Sequence, residues 1–144
     1  MNHLIAEAGL DDRIVCDSAG TSGFHIGASP DSRMSAAAIK REIKLKGKSR
    51  KLTPKDLQRF DLILAMDREN YHDILYLDRE GKFEDKVRMI CEFATQKTDK
   101  EVPDPYYGGQ DGFDYVIDLL FDACAGLLNY IVNSEEYQAK TTVK

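Results

Sequence analysis

Acid catalysis is the chemistry that one loop of the sequence offers, Val102-Pro103-Asp104-Pro105-Tyr106-Tyr107-Gly108-Gly109. A carboxyl between two prolines has a restricted backbone, and two adjacent tyrosines can form an apolar wall beside it. Such neighbours raise the pKa of a carboxyl and suit it to donate a proton, which makes Asp104 a candidate general acid. The alternative, which composition alone favours, is a rigid turn in which Asp104 bonds only to the local backbone.

Two further loops place polar groups directly after apolar runs. One is Asp17-Ser18-Ala19-Gly20-Thr21, in which two hydroxyls and two small residues suit the support of a neighbouring loop. An ordinary exit from a strand fits that composition equally well. The other is Ala65-Met66-Asp67, where the carboxylate can anchor an arginine or cap the following helix. Of these two roles we favour the helix cap for Asp67.

The three cysteines fail a direct test for a phosphate-binding thiolate. In such a loop an arginine stands six positions after the cysteine, where its charge and the backbone amides stabilise the thiolate. The sixth residues after Cys16, Cys91 and Cys124 are Ser22, Lys97 and Tyr130. We therefore expect three packed thiols, and their odd number and wide spacing argue against a disulfide framework.

Neither a metal nor a nucleotide cofactor is predicted. The three histidines, His3, His25 and His72, lack the spacing of metal ligands. Neither a Gly-x-Gly-x-x-Gly nor a Gly-x4-Gly-Lys stretch occurs in the sequence.

Short apolar runs alternate with helical patterns, which predicts an α/β domain with a parallel sheet covered on both faces. The expected strands are residues 14–16, 62–65 and 87–91, and the expected helices are residues 1–9, 29–44, 53–60, 67–77 and 113–131. In such sheets the functional residues lie at the carboxyl ends of the strands. The polar loops described above follow those ends.

The length of the chain and the distribution of its charges exclude several classes of protein. The chain has 144 residues, enough for one domain, and a net charge of -5. Residues 33–59 carry a charge of +8 and residues 99–136 a charge of -8, which indicates either a field that steers an anionic substrate or solvated helix faces. Because neither a membrane span nor a signal region is visible and aromatics are absent among the basic residues, we expect a cytoplasmic protein that binds neither membrane nor nucleic acid.

Taken together, the loops Asp17–Thr21, Phe60–Asp67 and Asp104–Gly109 resemble, in order and spacing, those of the low-molecular-weight protein-tyrosine phosphatases. The closing amphipathic helix with Ala123 and Cys124 matches as well. The likeness covers residues 1–132, and residues 133–144 form a polar tail. The fold implied by the resemblance is a four-stranded parallel sheet with helices on both faces.

The resemblance also implies a mechanism. In the family a cysteine thiolate attacks phosphotyrosine to form a cysteinyl-phosphate, while an arginine and backbone amides hold the phosphoryl oxygens. Asp104 matches the residue that protonates the leaving tyrosyl oxygen and then assists the hydrolytic water. Family members use phosphotyrosine proteins as substrates, and a tyrosine kinase that controls surface polysaccharide is a partner expected by resemblance only.

Other residues take roles by the same resemblance. Phe24 and Tyr106 match the aromatic walls of the substrate cleft, and Tyr107 adjoins them. Ser18 matches a hydroxyl that supports the phosphate loop, and Asp67 occupies an acidic family position of structural use. Tyr106 and Tyr107 are also positions at which family members can be phosphorylated.

The chain departs from the family in one respect. The signature Cys-x5-Arg-Ser is expected before Met1, together with a strand that lies inside the sheet. We therefore expect the 144 residues as written to fold poorly and to hydrolyse nothing. Three interpretations follow: a tyrosine phosphatase whose start was assigned at an internal methionine, a truncated remnant or binding module, or an arsenate reductase on the same fold. The last requires further redox cysteines, and Cys91 and Cys124 do not form an obvious reductase pattern.

Overall fold

The computed structural model describes residues 1–21, 32–43, 45, 49–103 and 109–134. The α-helices are α1 (Asn2–Glu7), α2 (Ser32–Ile39), α3 (Pro54–Arg59), α4 (Arg68–Leu77) and α5 (Gly109–Val132), the strands are β1 (Ile63–Ala65) and β2 (Val87–Met89), and two 3-10 helices span Glu84–Lys86 and Ile90–Phe93. The expected alternation of strands and helices is therefore present.

The sheet of the described residues has two parallel strands, in which Ile63, Leu64 and Ala65 lie opposite Val87, Arg88 and Met89. An isolated parallel bridge joins Gly20 to Lys51. Four strands are thus not seen in this part of the chain. The predicted strand at residues 87–91 is also shorter than expected, because the backbone turns into a 3-10 helix at Ile90.

The predicted buried strand at Ile14–Cys16 is wrong, since these residues have no regular structure and Val15 is 74% exposed. A strand needs a hydrogen-bonded neighbour strand, but the Ile14 N–H donates to the Leu10 carbonyl in a turn at 2.9 Å, and no strand of the described residues pairs with residues 14–16. The segment therefore does not join the sheet.

Local end signals place the helices as expected. Thr53 and Asp56 form a capping box at the start of α3, with Pro54 at its first position. Asp67 caps α4 by accepting from the Asn70 N–H at 2.7 Å, which confirms the cap interpretation. Gly9, with a φ of 70°, follows the end of α1. The helix predicted at residues 29–44 ends earlier in the structure, at Ile39. The chain turns after this residue, and Glu42 adopts a φ of 61°, which is incompatible with a continued helix.

Helix α5 is the centre of the core. Leu119, Ala123 and Leu127 pack against the second 3-10 helix through Ile90 and Phe93. Gly112–Val132 is long and apolar enough to span a membrane by length and composition alone, but α5 packs here against α1, α2 and that 3-10 helix. Its apolar face is therefore the face that builds the domain.

The basic and acidic stretches of the sequence meet where α2 packs on α5. Arg41 binds Asp114 at 3.1 Å and Asp118 at 2.9 Å. Beneath this pair, Ala37 and Ala38 contact the apolar core together with Phe113 and Ile117. Some of the opposite charges of the two stretches therefore form ion pairs within the domain.

Gly126 allows α5 to approach the second 3-10 helix closely. A Cβ at this position would lie 1.8 Å from the Phe93 carbonyl oxygen, far inside van der Waals contact. We predict that Gly126→Ala lowers the free energy of unfolding by about 1–3 kcal/mol, because the two backbones must separate. Urea denaturation at pH 7 measures this.

Ala125→Ser, at the exposed neighbouring position, serves as the control and should change stability by less than about 0.5 kcal/mol. A Gly126→Ala variant as stable as the parent protein would show that this contact does not constrain the fold.

Candidate active site

A cavity of about 700 Å³ lies beside β1. Its walls come from residues 13–21, from residues 59–66 and from the C-terminal half of α5, including Cys124, Leu127 and Ile131. Ile14, Leu64 and Ile90 add to an apolar lining. The cavity therefore penetrates the layer in which the sheet lies.

The edge of β1 that faces this cavity carries no strand. Among the described residues β1 pairs with β2 alone, and the 13–21 segment runs along the far side of the cavity. A strand bonded on one edge leaves a row of N–H and C=O groups open on the other. The cavity therefore lies between the open edge of β1 and residues 13–21.

Polar side chains surround the cavity where β1 ends. Ser18, Thr21 and Asn70 line it there, next to Met66. Asn70 Nδ2 donates to Thr21 Oγ1 at 3.5 Å, which links the start of α4 to the 17–21 loop. Hydroxyl and amide groups can hold the backbone of a neighbouring loop, so this end of the cavity is the candidate active site.

Arg50 fixes the loop that carries Ser18. Its guanidinium binds Asp17 Oδ2 at 3.2 Å and Asp56 Oδ2 at 2.9 Å. Its carbonyl accepts from the Gly20 N–H at 2.8 Å, and the Leu52 N–H donates to the Gly20 carbonyl at the same distance. Asp56 is buried, and the hydrogen bond from Arg50 holds its pKa below the usual 3.8. The sequence argument missed Arg50, for which the only signal was a basic residue just before the Thr53-Pro54 helix start.

A second segment reaches the same end of β1 from the opposite direction. The Val102 N–H donates to the Met66 carbonyl at 2.8 Å, and Glu101 Oε1 accepts from the Arg68 N–H at 2.8 Å. Residues 101–103 are thereby held at the carboxyl end of β1 and at the start of α4. The sequence argument did not foresee these contacts.

The cysteines of this chain are not activated. Burial raises the pKa of the thiols of Cys16, Cys91 and Cys124 above the usual 9.0. All three are free, Cys91 and Cys124 are buried, and Cys16 is half-buried. A protonated thiol is a poor nucleophile, so these groups do not supply one at neutral pH.

Ser18 and Asp67 are the predicted site residues that the structure describes. Ser18 lines the cavity, whereas Asp67 caps α4, and no arginine of the described residues binds its carboxylate. Phe24, Asp104, Tyr106 and Tyr107 lie outside the described residues. Within the described part, no group of three or more histidine, cysteine or acidic side chains is placed to hold a metal.

Comparison with known proteins points to one family. The family model described as low molecular weight phosphotyrosine protein phosphatase matches residues 1–139. A Synechocystis protein with the provisional name low molecular weight protein-tyrosine-phosphatase is 55% identical over 128 residues, which cover 89% of this chain and 82% of that protein. The low molecular weight phosphotyrosine protein phosphatase of Schizosaccharomyces pombe is 40% identical over 76% of this chain and 70% of its own.

Solved structures agree on the fold. A protein tyrosine phosphatase of Entamoeba histolytica, crystallised with Hepes in its active site, superposes with a TM-score of 0.83 at 40% identity, over 88% of this chain and 81% of that one. A product-state mimic from the same organism gives a TM-score of 0.86 at 36% identity, over 93% and 84%.

We predict that Arg50→Met destabilises the protein by about 1–2 kcal/mol at pH 7, because Asp56 then keeps its charge without its main partner. The pKa of Asp56 lies below its unfolded value of 3.8, so its stabilising effect is complete above that value and is lost as the pH falls. The loss caused by Arg50→Met should therefore shrink below about pH 4. Urea denaturation from pH 7 to pH 3 measures it.

Lys55→Met removes an exposed cation from the same region and is the matched control, with little expected effect at either pH. A deficit in Arg50→Met that stays constant across this pH range would contradict the role given to the Arg50–Asp56 pair.

Proposed function

Because this chain belongs to the low molecular weight phosphotyrosine protein phosphatase family, we propose that it forms the acid-catalysis and substrate-cleft part of a protein-tyrosine phosphatase. Its nucleophile and phosphate-binding arginine are not among the 144 residues, since no cysteine is followed by arginine six positions later. From the family's Cys-x5-Arg-Ser signature, we assign them to a strand and loop encoded before these residues.

The cavity beside β1 is the observation that carries this proposal. It is apolar along its length, it borders a strand edge without a partner, and it opens at Ser18, Thr21 and Asn70. A parallel strand of about five to six residues in this position would end at those polar groups. A loop after that strand would receive hydrogen bonds from the hydroxyls of Ser18 and Thr21. The cavity therefore supports the proposal of a phosphate-binding loop at this end of β1.

The proposed reaction has two steps. In the first, the thiolate forms a bond to phosphorus while the bond from phosphorus to the tyrosyl oxygen breaks, and Asp104 gives its proton to that oxygen. In the second, water attacks the cysteinyl-phosphate, the Asp104 carboxylate takes a proton from the water, and the thiolate leaves with inorganic phosphate as product. By the family resemblance, we assign Phe24, Tyr106 and Tyr107 to the binding of the phenyl ring.

The alternatives make different use of the same features. A remnant or binding module would keep the aromatic residues and bind phosphotyrosine without turnover. An arsenate reductase would need reactive thiols, and burial raises the pKa of every cysteine in this chain. The thiols therefore favour phosphatase chemistry. Phosphotyrosine proteins as substrates, a tyrosine kinase as partner and a cytoplasmic location complete the proposal.

We predict that the protein expressed from its natural reading frame, with any in-frame codons before Met1, hydrolyses phosphotyrosine, whereas the 144 residues alone do not. The reason is that only the longer product can hold both the nucleophile and Asp104. Release of inorganic phosphate from phosphotyrosine measures it for the two chains side by side.

Turnover by the 144 residues alone would overturn the assignment of the nucleophile to a preceding loop. A longer product that binds phosphotyrosine without releasing phosphate would favour the binding module, and arsenate reduction would favour the reductase.

In the active protein, Asp104→Asn should lower kcat for phosphotyrosine by about 100-fold, because the tyrosyl oxygen then leaves without a proton. Steady-state kinetics at pH 6 measure the effect. Asp85→Asn, at an exposed position in the first 3-10 helix, is the control and should leave kcat unchanged. An unchanged kcat in Asp104→Asn would rule out Asp104 as the general acid.

A further inference from the structure

Asp122 of α5 binds a run of consecutive backbone amides. Its Oδ1 accepts from the Thr95 N–H at 3.1 Å and from the Thr95 hydroxyl at 2.9 Å. Its Oδ2 accepts from the Gln96 N–H at 3.0 Å and from the Lys97 N–H at 2.8 Å. Both oxygens of one carboxylate are therefore occupied by the same three residues.

These four hydrogen bonds are strongest when the Asp122 side chain carries its negative charge. These amide hydrogen bonds lower its pKa to about 2, so they favour the carboxylate form of the side chain. Three successive N–H groups directed at one anion form a rigid concave backbone shape. Residues 95–97 are consequently fixed to α5 at a defined point of the helix.

The segment that starts at this point is fixed again before it reaches residue 104. The Tyr115 hydroxyl, about two turns earlier on α5, donates to Asp99 Oδ1, and Lys97 Nζ lies 5.2 Å from the centroid of the Tyr115 ring. Farther along, Val102 is bonded to the Met66 carbonyl at the end of β1. The segment thus spans from α5 to the candidate active site.

From these contacts we infer that Asp122 is a positioning residue for the general acid, a role that rests on the proposed function. Residues 95–102 are the covalent approach to Asp104, which follows Val102 by two positions. Asp122 fixes the start of this approach and Met66 its end. Without Asp122, residues 95–102 have one anchor fewer. The distance between the Asp104 carboxyl and the tyrosyl oxygen, over which the proton passes, is then less well defined.

A displaced acid has a characteristic kinetic effect. A strongly basic leaving group such as the tyrosyl oxygen needs the proton in the transition state, whereas p-nitrophenolate needs it far less. A loss confined to basic leaving groups therefore reports on the acid. A partly unfolded sample lowers the rates for both substrates equally, so the ratio of the two rates is unaffected by the folded fraction.

The experiment compares four forms of the protein expressed from its natural reading frame: the parent, Asp104→Asn, Asp122→Asn and Asp118→Asn. Asp118 is the matched control, because it lies one turn away on α5 but binds Arg41 instead of residues 95–97. The readout is kcat/KM for phosphotyrosine divided by kcat/KM for p-nitrophenyl phosphate, because kcat/KM reports on the step in which the leaving group departs, whereas hydrolysis of the cysteinyl-phosphate is common to both substrates.

We expect Asp122→Asn to lower this ratio by about tenfold, in the direction of Asp104→Asn, since small displacements of a reacting group have effects of this order. Asp118→Asn should leave the ratio unchanged. A ratio in Asp122→Asn equal to that of the parent overturns the positioning role while the proposed function stands. A parent that hydrolyses neither substrate overturns the proposed function, and the positioning role with it.

Discussion

The open edge of β1 is the constraint on which the rest of the structure depends. One side of this strand is bonded to β2, and the other borders an apolar cavity. Backbone N–H and C=O groups inside a domain need partners, and the strand that we propose to precede these residues would supply them. On that proposal, residues 14–16 would gain a neighbour in the sheet as well. The proposed strand would therefore serve both the sheet and the candidate active site.

Helix α5 holds several parts of the domain by contacts of its own. Gly126 brings it against the Phe93 carbonyl, its aspartates bind Arg41 of the turn after α2, and Asp122 holds residues 95–97. One helix therefore fixes the second 3-10 helix, α2 and the approach to residue 104.

The sequence predicted the features that have local causes. The starts of α3 and α4 follow from Thr53-Pro54 and from Asp67, because capping involves residues only three positions apart. The strand at residues 14–16 was wrong because strand formation depends on a distant partner that apolar composition does not reveal. Arg50 and Asp122 were missed for a related reason. Asp122 binds residues at least 25 positions away, and Arg50 reaches Asp17 across 33, distances at which the sequence carries no local signal.

The most direct test of this account is amide hydrogen exchange along β1, at those N–H groups of Ile63–Ala65 that are not bonded to β2. It is measured on the 144 residues alone and on the protein expressed from its natural reading frame. If a preceding strand fills the cavity, exchange in the longer protein should slow by about tenfold or more at those amides, relative to the amides of α4. Equal exchange in both chains would show that nothing pairs with the open edge of β1, and would contradict the account.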